Sequence, residues 1–321
     1  MTISIQQDTA RTGVPPLRRL VIATELGPAT VRVQQGTGSG SGTGDPATAE
    51  VYLHGAAGSW TTFQPLVDRA PDVDRVLIDL PGWGDSTAGA RLDHLSIESM
   101  GRAVVEILDS LGYRRWHLVG HSMGGFLALH IAANLPERAA GVAAISATTF
   151  AVSGVARRRL RGLSGFPAFA GMLLAMRSMA ALGPSGPALI RAVGATPVMG
   201  LLTSPLFADP PAVPRHVIRG LAFDARPASF AAAARAIAHY DFGQWRAIRC
   251  PVLATRGNSD VFTPPSDLSR LASVVPHVRL ETIARCGHFA NIEQPEHVQR
   301  LLDDLRPAQG VPGEDESRSG H

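Results

Sequence analysis

Short apolar runs alternating with helical patterns constrain this chain more than any other feature. VYLHG (51–55), RVLIDL (75–80), RWHLVG (115–120), VAAIS (142–146), PVLATRG (251–257) and VRLETI (278–283) read as strands. Helical patterns run from Thr61 to Arg69, Ser96 to Leu111, Met123 to Leu135, Ser266 to Ser273 and Pro295 to Leu305. Strands buried on both faces lose the polar alternation of a half-exposed sheet and become continuous apolar runs. Strand and helix in alternation predict an α/β fold with a mainly parallel central sheet flanked by helices. Ahead of them, LVIATEL and TVRVQQ within 19–35 are separated by Gly27-Pro28, which predicts a hairpin.

Composition along the chain sets the divisions. Residues 1–18 read as a flexible leader, 19–148 as the first part of the core, and 149–240 as a helical insertion rich in Ala, Gly, Pro, Leu and Met. Residues 241–306 supply the rest of the core, and 307–321 form a polar, disordered tail. The glycine-rich stretch 36–46 opens no helix after a strand in phosphate-binding spacing, so it reads as a connector.

Several function classes are excluded. The longest apolar stretch, Phe166 to Leu182, carries Pro167 and Arg177, and no run reaches the ~18 apolar residues that cross a bilayer. The start lacks a basic segment followed by an apolar block, so no secretory signal is expected and a cytoplasmic location is. Cys250 and Cys286 are too few for a disulfide framework or a cysteine metal cluster. All 30 Lys+Arg residues are arginine, which rules out a lysine Schiff base or a phosphate-loop lysine. A net charge of +3 gives no general reason to expect nucleic acid.

The chemistry centres on Gly120-His121-Ser122-Met123-Gly124-Gly125, set between the strand RWHLVG and a helix. A serine on such a tight turn is held in a strained backbone state, and only small neighbours fit around it. A serine hydroxyl needs a base, and the base needs an orienting acid. Asp260 lies in the loop after PVLAT, and His288 in the loop after VRLETI, 28 residues later. Sites in open α/β sheets lie beyond the carboxyl ends of the strands, so Ser122, Asp260 and His288 are expected to converge. The N–H groups of Met123 and Ala56 are the expected donors to an oxyanion. His54 reads as structural, and Asp79 and Asp85 as turn formers.

In order and spacing, these residues resemble the α/β-hydrolase superfamily, in its branch with a helical cap. The likeness covers roughly residues 50–150 and 245–305. It implies an α/β-hydrolase fold with an inserted cap at 149–240, a Ser122, Asp260, His288 triad, and no metal or organic cofactor. The expected reaction is cleavage of a carboxylic ester or thioester through an acyl-enzyme on a small-molecule acyl substrate. Acyl transfer or cyclisation with the same triad, carbon–carbon bond hydrolysis, and a noncatalytic binding protein are the alternatives.

The insertion has a charge of its own. Residues 149–240 hold ten arginines against Asp209 and Asp224, a local +8. A basic, greasy lid over an acyl-transfer site fits an anionic carrier, coenzyme A or an acyl carrier protein, and equally an anionic membrane surface. The plainer alternative is a solvated arginine face over an ordinary helical core.

Overall fold

The computed structural model describes residues 6–7, 15–36, 48–67, 73–158 and 166–306. The 307–321 tail, with most of the leader and of the glycine-rich connector, lies outside the described residues. The strands are β1 (Gln6–Gln7), β2 (Arg18–Thr24), β3 (Gly27–Gln34), β4 (Thr48–Leu53), β5 (Asp74–Ile78), β6 (Arg115–His121), β7 (Ala139–Ile145), β8 (Val252–Gly257) and β9 (Val278–Ile283).

They form one sheet in the order β1-β2-β3-β5-β4-β6-β7-β8-β9. From β5 through β9 every neighbouring pair is parallel. β1, β2 and β3 extend the β5 side as antiparallel strands. The expected hairpin is β2–β3, with Thr24 opposite Gly27. Gly27 turns at φ 110°, and a Cβ there would meet the Gly89 carbonyl oxygen at 2.4 Å, so no other residue fits.

Successive residues of the central strands serve opposite faces of the sheet. Val51 and Leu53 join one apolar core, and Tyr52 between them joins the other. Helix α1 (Gln64–Val67) is shorter than its sequence pattern because Trp60–Phe63 forms a 3-10 turn, capped by the Ser59 side chain on Thr61 N–H. Helix α2 (Ile97–Ser110) starts at a capping box in which Ser96 and Ser99 each bond the other's backbone N–H. Its residues Ile97, Met100, Val104, Ile107 and Leu108 are buried, the spacing of one helical stripe. Helix α3 (Met123–Asn134) is different. Everything from Met123 to Ala133 is buried, because it packs on β4, β6 and β7 and is covered from outside.

Between β7 and β8 the chain is helical among the described residues: α4 (Phe150–Arg158), α5 (Pro167–Ala181), α6 (Ser185–Gly194), α7 (Pro197–Thr203), α8 (Arg215–Asp224) and α9 (Pro227–Ile237). Helices α10 (Pro265–Val274), α11 (Ala290–Glu293) and α12 (Pro295–Leu305) complete the second part. Among the described residues no single helix is long and apolar enough to cross a membrane.

Candidate active site

Ser122 stands at the junction of β6 and α3 with φ 55° and ψ −118°, a left-handed conformation that an L-residue adopts only under constraint. The constraint is visible in its neighbours. A Cβ on Gly120 would lie 2.2 Å from the Gly124 carbonyl oxygen, and one on Gly124 would lie 1.8 Å from the Leu53 carbonyl oxygen. The glycines therefore let β6, α3 and the end of β4 close around the serine. Ser122 N–H donates to the Ile145 carbonyl at 2.9 Å, which ties the turn to β7.

The loops after β8 and β9 bring Asp260 and His288 to the same edge. His288 Nδ1 lies 3.0 and 3.1 Å from the two Asp260 carboxylate oxygens, and Nε2 lies 3.0 Å from Ser122 Oγ. A carboxylate only accepts, so Nδ1 carries the proton and the Nε2 lone pair faces the serine hydroxyl. Burial pushes the Asp260 carboxyl up. The charge and hydrogen bond of His288 outweigh it, with help from Phe262 N–H at 2.8 Å, and hold the acid below its ordinary value. Thr263 N–H is a further donor at 3.1 Å.

His288 is itself held by its backbone. Its N–H donates to Leu206 C=O at 2.7 Å. Its carbonyl lies 2.9 Å from His121 Nε2, which must be the protonated nitrogen because a carbonyl can only accept. Burial and the neighbouring His288 push His121 down to about 3, so His121 is neutral and leaves Nδ1 without a partner.

The donors expected from Ala56 and Met123 both line the cavity onto which Ser122 opens. Among the described residues neither N–H has an internal acceptor. The direction of the Ala56 N–H is fixed through the other end of its peptide. Leu80 N–H donates to His54 Nε2 at 3.0 Å, so His54 Nδ1–H donates to Gly55 C=O at 2.8 Å. Gly58 N–H joins it at 3.1 Å. With the Gly55 carbonyl pinned, the planar trans peptide sends the Ala56 N–H the opposite way. Trp83 Nε1–H holds the Ala56 carbonyl at 2.7 Å, so this fully buried indole is a loop clamp rather than a pocket wall.

The cavity measures about 70 Å³. Beside the residues above, its walls come from Phe126, Phe262 and Phe289 of the core and from Phe169, Met172, Leu206, Phe230 and Ile237 of the inserted helices. Among the described residues no arginine, aspartate or glutamate lines it. Met172 belongs to the greasy stretch of the insertion that the sequence marks, whereas local pattern did not single out Phe169, Leu206, Phe230 or Ile237, which reach the cavity through tertiary packing. The His239-Tyr240-Asp241 stretch, where the inserted segment ends, does not line it. Tyr240 Oη instead lies 2.9 Å from His130 Nδ1 and accepts from Trp245 Nε1 at 3.0 Å.

Side-chain hydrogen bonds also bind the inserted segment to the loops of the site. Ser59 Oγ donates to Asp224 at 2.5 Å, Ser229 Oγ to Gly82 C=O at 2.7 Å, and Arg226 Nη2 to Gly84 C=O at 3.2 Å. Asp79 does more than form a turn. Fully buried, it accepts from Arg32, Trp60 N–H and Asp85 N–H, joining the loops after β4 and β5 to β3.

Residues 51–295 match the family model for the α/β hydrolase fold. The chain is 28% identical over 274 residues to a 2-hydroxy-6-oxononadienedioate/2-hydroxy-6-oxononatrienedioate hydrolase of Burkholderia vietnamiensis, covering 82% of this chain and 87% of that one. It is 26% identical over 275 residues to a 2-hydroxy-6-oxo-6-phenylhexa-2,4-dienoate hydrolase of Comamonas testosteroni, covering 80% and 87%. A thermophilic esterase from Thermogutta terrifontis superposes with a TM-score of 0.64 at 22% identity, covering 89% of this chain and 97% of that one, and shares the fold.

Proposed function

Because this chain is a hydrolase belonging to the α/β hydrolase fold family, we propose that it cleaves a short, uncharged carboxylic ester or thioester through an acyl-enzyme on Ser122. The observation that carries this reading is the relay itself, with Ser122 Oγ 3.0 Å from His288 Nε2 and the buried Asp260 on Nδ1. His288 accepts the hydroxyl proton as Oγ attacks the carbonyl carbon, and Asp260 stabilises the imidazolium. The carbonyl oxygen takes the negative charge of the tetrahedral intermediate and is met by the N–H groups of Ala56 and Met123. The carbon–oxygen or carbon–sulfur bond then breaks, the leaving group takes the proton from His288, and the acyl group stays on Ser122. Water, deprotonated by His288, releases the acid and restores the serine. No metal or organic cofactor enters these steps.

The cavity supports the substrate class. An acyl group of a few carbons suits its volume, and the described walls are mostly apolar, which favours an uncharged acyl group. In the same reading the helices of 149–240 form a cap over a core made of 19–148 and 241–306.

Similarity to the dienedioate hydrolases favours a second reading, hydrolysis of a carbon–carbon bond. A dioate brings two carboxylates, and the apolar walls among the described residues give that reading less support. An anionic carrier, coenzyme A or an acyl carrier protein, is a further expectation from the arginines of 149–240. It requires the thioester of such a carrier to be turned over faster than the matching neutral ester.

One panel separates these readings: neutral esters and thioesters of graded acyl length, a coenzyme A thioester, and a 2-hydroxy-6-oxodienoate. A fluorophosphonate probe reports Ser122. The expected outcome is labelling that is lost in Ser122→Ala, with turnover highest on short neutral acyl groups. Full activity in a folded Ser122→Ala protein refutes the mechanism, and turnover of the dienoate alone establishes the second reading.

A further inference from the structure

Among the described residues eight large apolar side chains are exposed, and seven of them fall between residues 174 and 223. Scattered exposed leucines are ordinary on a protein surface, whereas a cluster marks a place where something binds. Leu174 on α5, Leu182 after it, Leu189 on α6, Val198, Leu201 and Leu202 on α7, and Phe223 on α8 make up this cluster. Leu201 is 74% exposed and Leu202 62%. Helix α6 packs against α5, α7 and α8, so the exposed residues belong to one group of contiguous helices. From Leu182 to Ala208 the only charged residue is Arg191.

Arginines without an ionic partner stand beside this surface. Arg177, Arg191, Arg215 and Arg219 stand on α5, α6 and α8, and among the described residues none of the four forms an ion pair. Of the nearby acids Asp209 is exposed, Asp224 is buried and bonded to Ser59, and Asp79 and Asp85, which share a hollow with Arg191, Arg219 and Phe223, are both paired with Arg32. The charge of the whole chain is bipolar. Residues 149–240 carry +8, so the remainder carries −5 of the total +3. Exposed apolar side chains beside unpaired arginines, on the basic segment of the chain, favour a negatively charged apolar surface as their partner.

We propose that helices α5 to α8 seat on an anionic lipid surface, with Leu201, Leu202 and their neighbours in the headgroup region and the arginines among the phosphates. Charge decides against a second copy of this chain as the occupant, since a twofold contact would bring two arginine-bearing faces together. The surface and the cavity are built from the same helices. Phe169 and Met172 on α5 line the cavity while Leu174 is exposed, and Leu206, just beyond α7, lines it and binds His288 N–H. An apolar substrate dissolved in the lipid is thereby presented to helices that form the cavity's own wall.

Vesicle flotation of the full chain tests this, with phosphatidylcholine vesicles compared against phosphatidylcholine mixed with phosphatidylglycerol. Binding is read directly, so the inactive Ser122→Ala protein must bind as wild type does, and a failure here is distinct from a failure of the hydrolase reading. At low salt the bound fraction on anionic vesicles is expected to exceed that on neutral ones by at least about tenfold, and to fall as salt rises. The pair Leu201→Ser and Leu202→Ser should reduce binding at least about tenfold while turnover of a soluble short ester is unchanged. Arg191→Glu with Arg219→Glu should abolish the preference for anionic lipid. Binding to neither vesicle, equal binding to both, or binding that survives the leucine pair overturns the proposal. A dimer in size-exclusion chromatography that the leucine pair dissociates overturns it as well, since the second copy is then the occupant.

Discussion

Gly124→Ala tests how the two oxyanion donors are kept in register. The added methyl would lie 1.8 Å from the Leu53 carbonyl oxygen and 2.8 Å from that of His54, against a floor of 3.0 Å for real Cβ contacts. Helix α3 and the end of β4 must therefore part by at least 1.2 Å. Leu53 leads straight into His54, Gly55 and Ala56, and Met123 directly precedes Gly124, so the gap opens between the two N–H donors. A misplacement of about 1 Å costs roughly 10²-fold in rate, and loss of one oxyanion donor costs about 10²–10³-fold in kcat. The variant is expected to fall in kcat by about 10²-fold or more on a short neutral ester. Overpacking of this kind costs about 1–3 kcal/mol, each worth roughly 2–4 °C of melting temperature in chains of about 150–250 residues. The protein therefore stays folded at assay temperature, which thermal melting checks. Gly200→Ala is the control, because nothing lies within 4 Å of a Cβ at that position. A folded Gly124→Ala protein with wild-type kcat refutes the reasoning.

Asp260→Asn should keep the fold and lower kcat by about 10⁴-fold, by analogy with the orienting acid of serine proteases; wild-type turnover would mean that another carboxylate serves. Asp224 is raised above the ordinary carboxylate value by burial, so the stability linked to it is present at low pH and lost as pH rises through its folded value. Asparagine keeps an acceptor for Ser59 Oγ without a charge to bury, and the melting-temperature advantage of Asp224→Asn should grow from pH 4 to pH 7; an equal difference at both refutes this. His121 is depressed to about 3, so the unfolded chain binds its proton first and stability is lost as pH falls from about 6.5 towards 3. That amounts to about 3 kcal/mol at pH 4, and denaturant melts of His121→Asn should show a shallower loss; an unchanged acid limb rules it out.

The fold was legible because parallel strands buried on both faces leave apolar runs, and β4 through β8 lie on such runs, whereas β9, at the sheet edge, is mostly exposed and mixes Arg279 and Glu281 with its apolar residues. Boundaries were less so, as Ala139-Ala140-Gly141 carries no strand pattern of its own and joins β7 through pairing with β6. The geometry around Ser122 was legible in its glycines, whose missing side chains are required by backbone contacts. What sequence did not reveal is held by long-range polar pairs without local periodicity. Nothing near Trp83 announces that its indole will clamp Ala56, nor does anything near Asp224 announce Ser59, 165 positions earlier. Asp79 looked like a turn former because its partner Arg32 lies on another strand, 47 positions away.

The placement of His288 has a consequence for how the enzyme comes into being. It meets Ser122 across 166 positions of sequence, from a loop that follows the last strand. Synthesis proceeds from the N-terminus, so β4 and β6, which bear the donors and the nucleophile, leave the ribosome long before β8 and β9 exist. Throughout that interval the serine has neither base nor acid beside it and is an ordinary alcohol in a growing chain. Under the proposed mechanism, reactivity switches on only when β9 docks on β8 and carries His288 into place. Completion of the sheet is then also the arming step, and a chain truncated before residue 288 is expected to keep Ser122 without the base that would activate it.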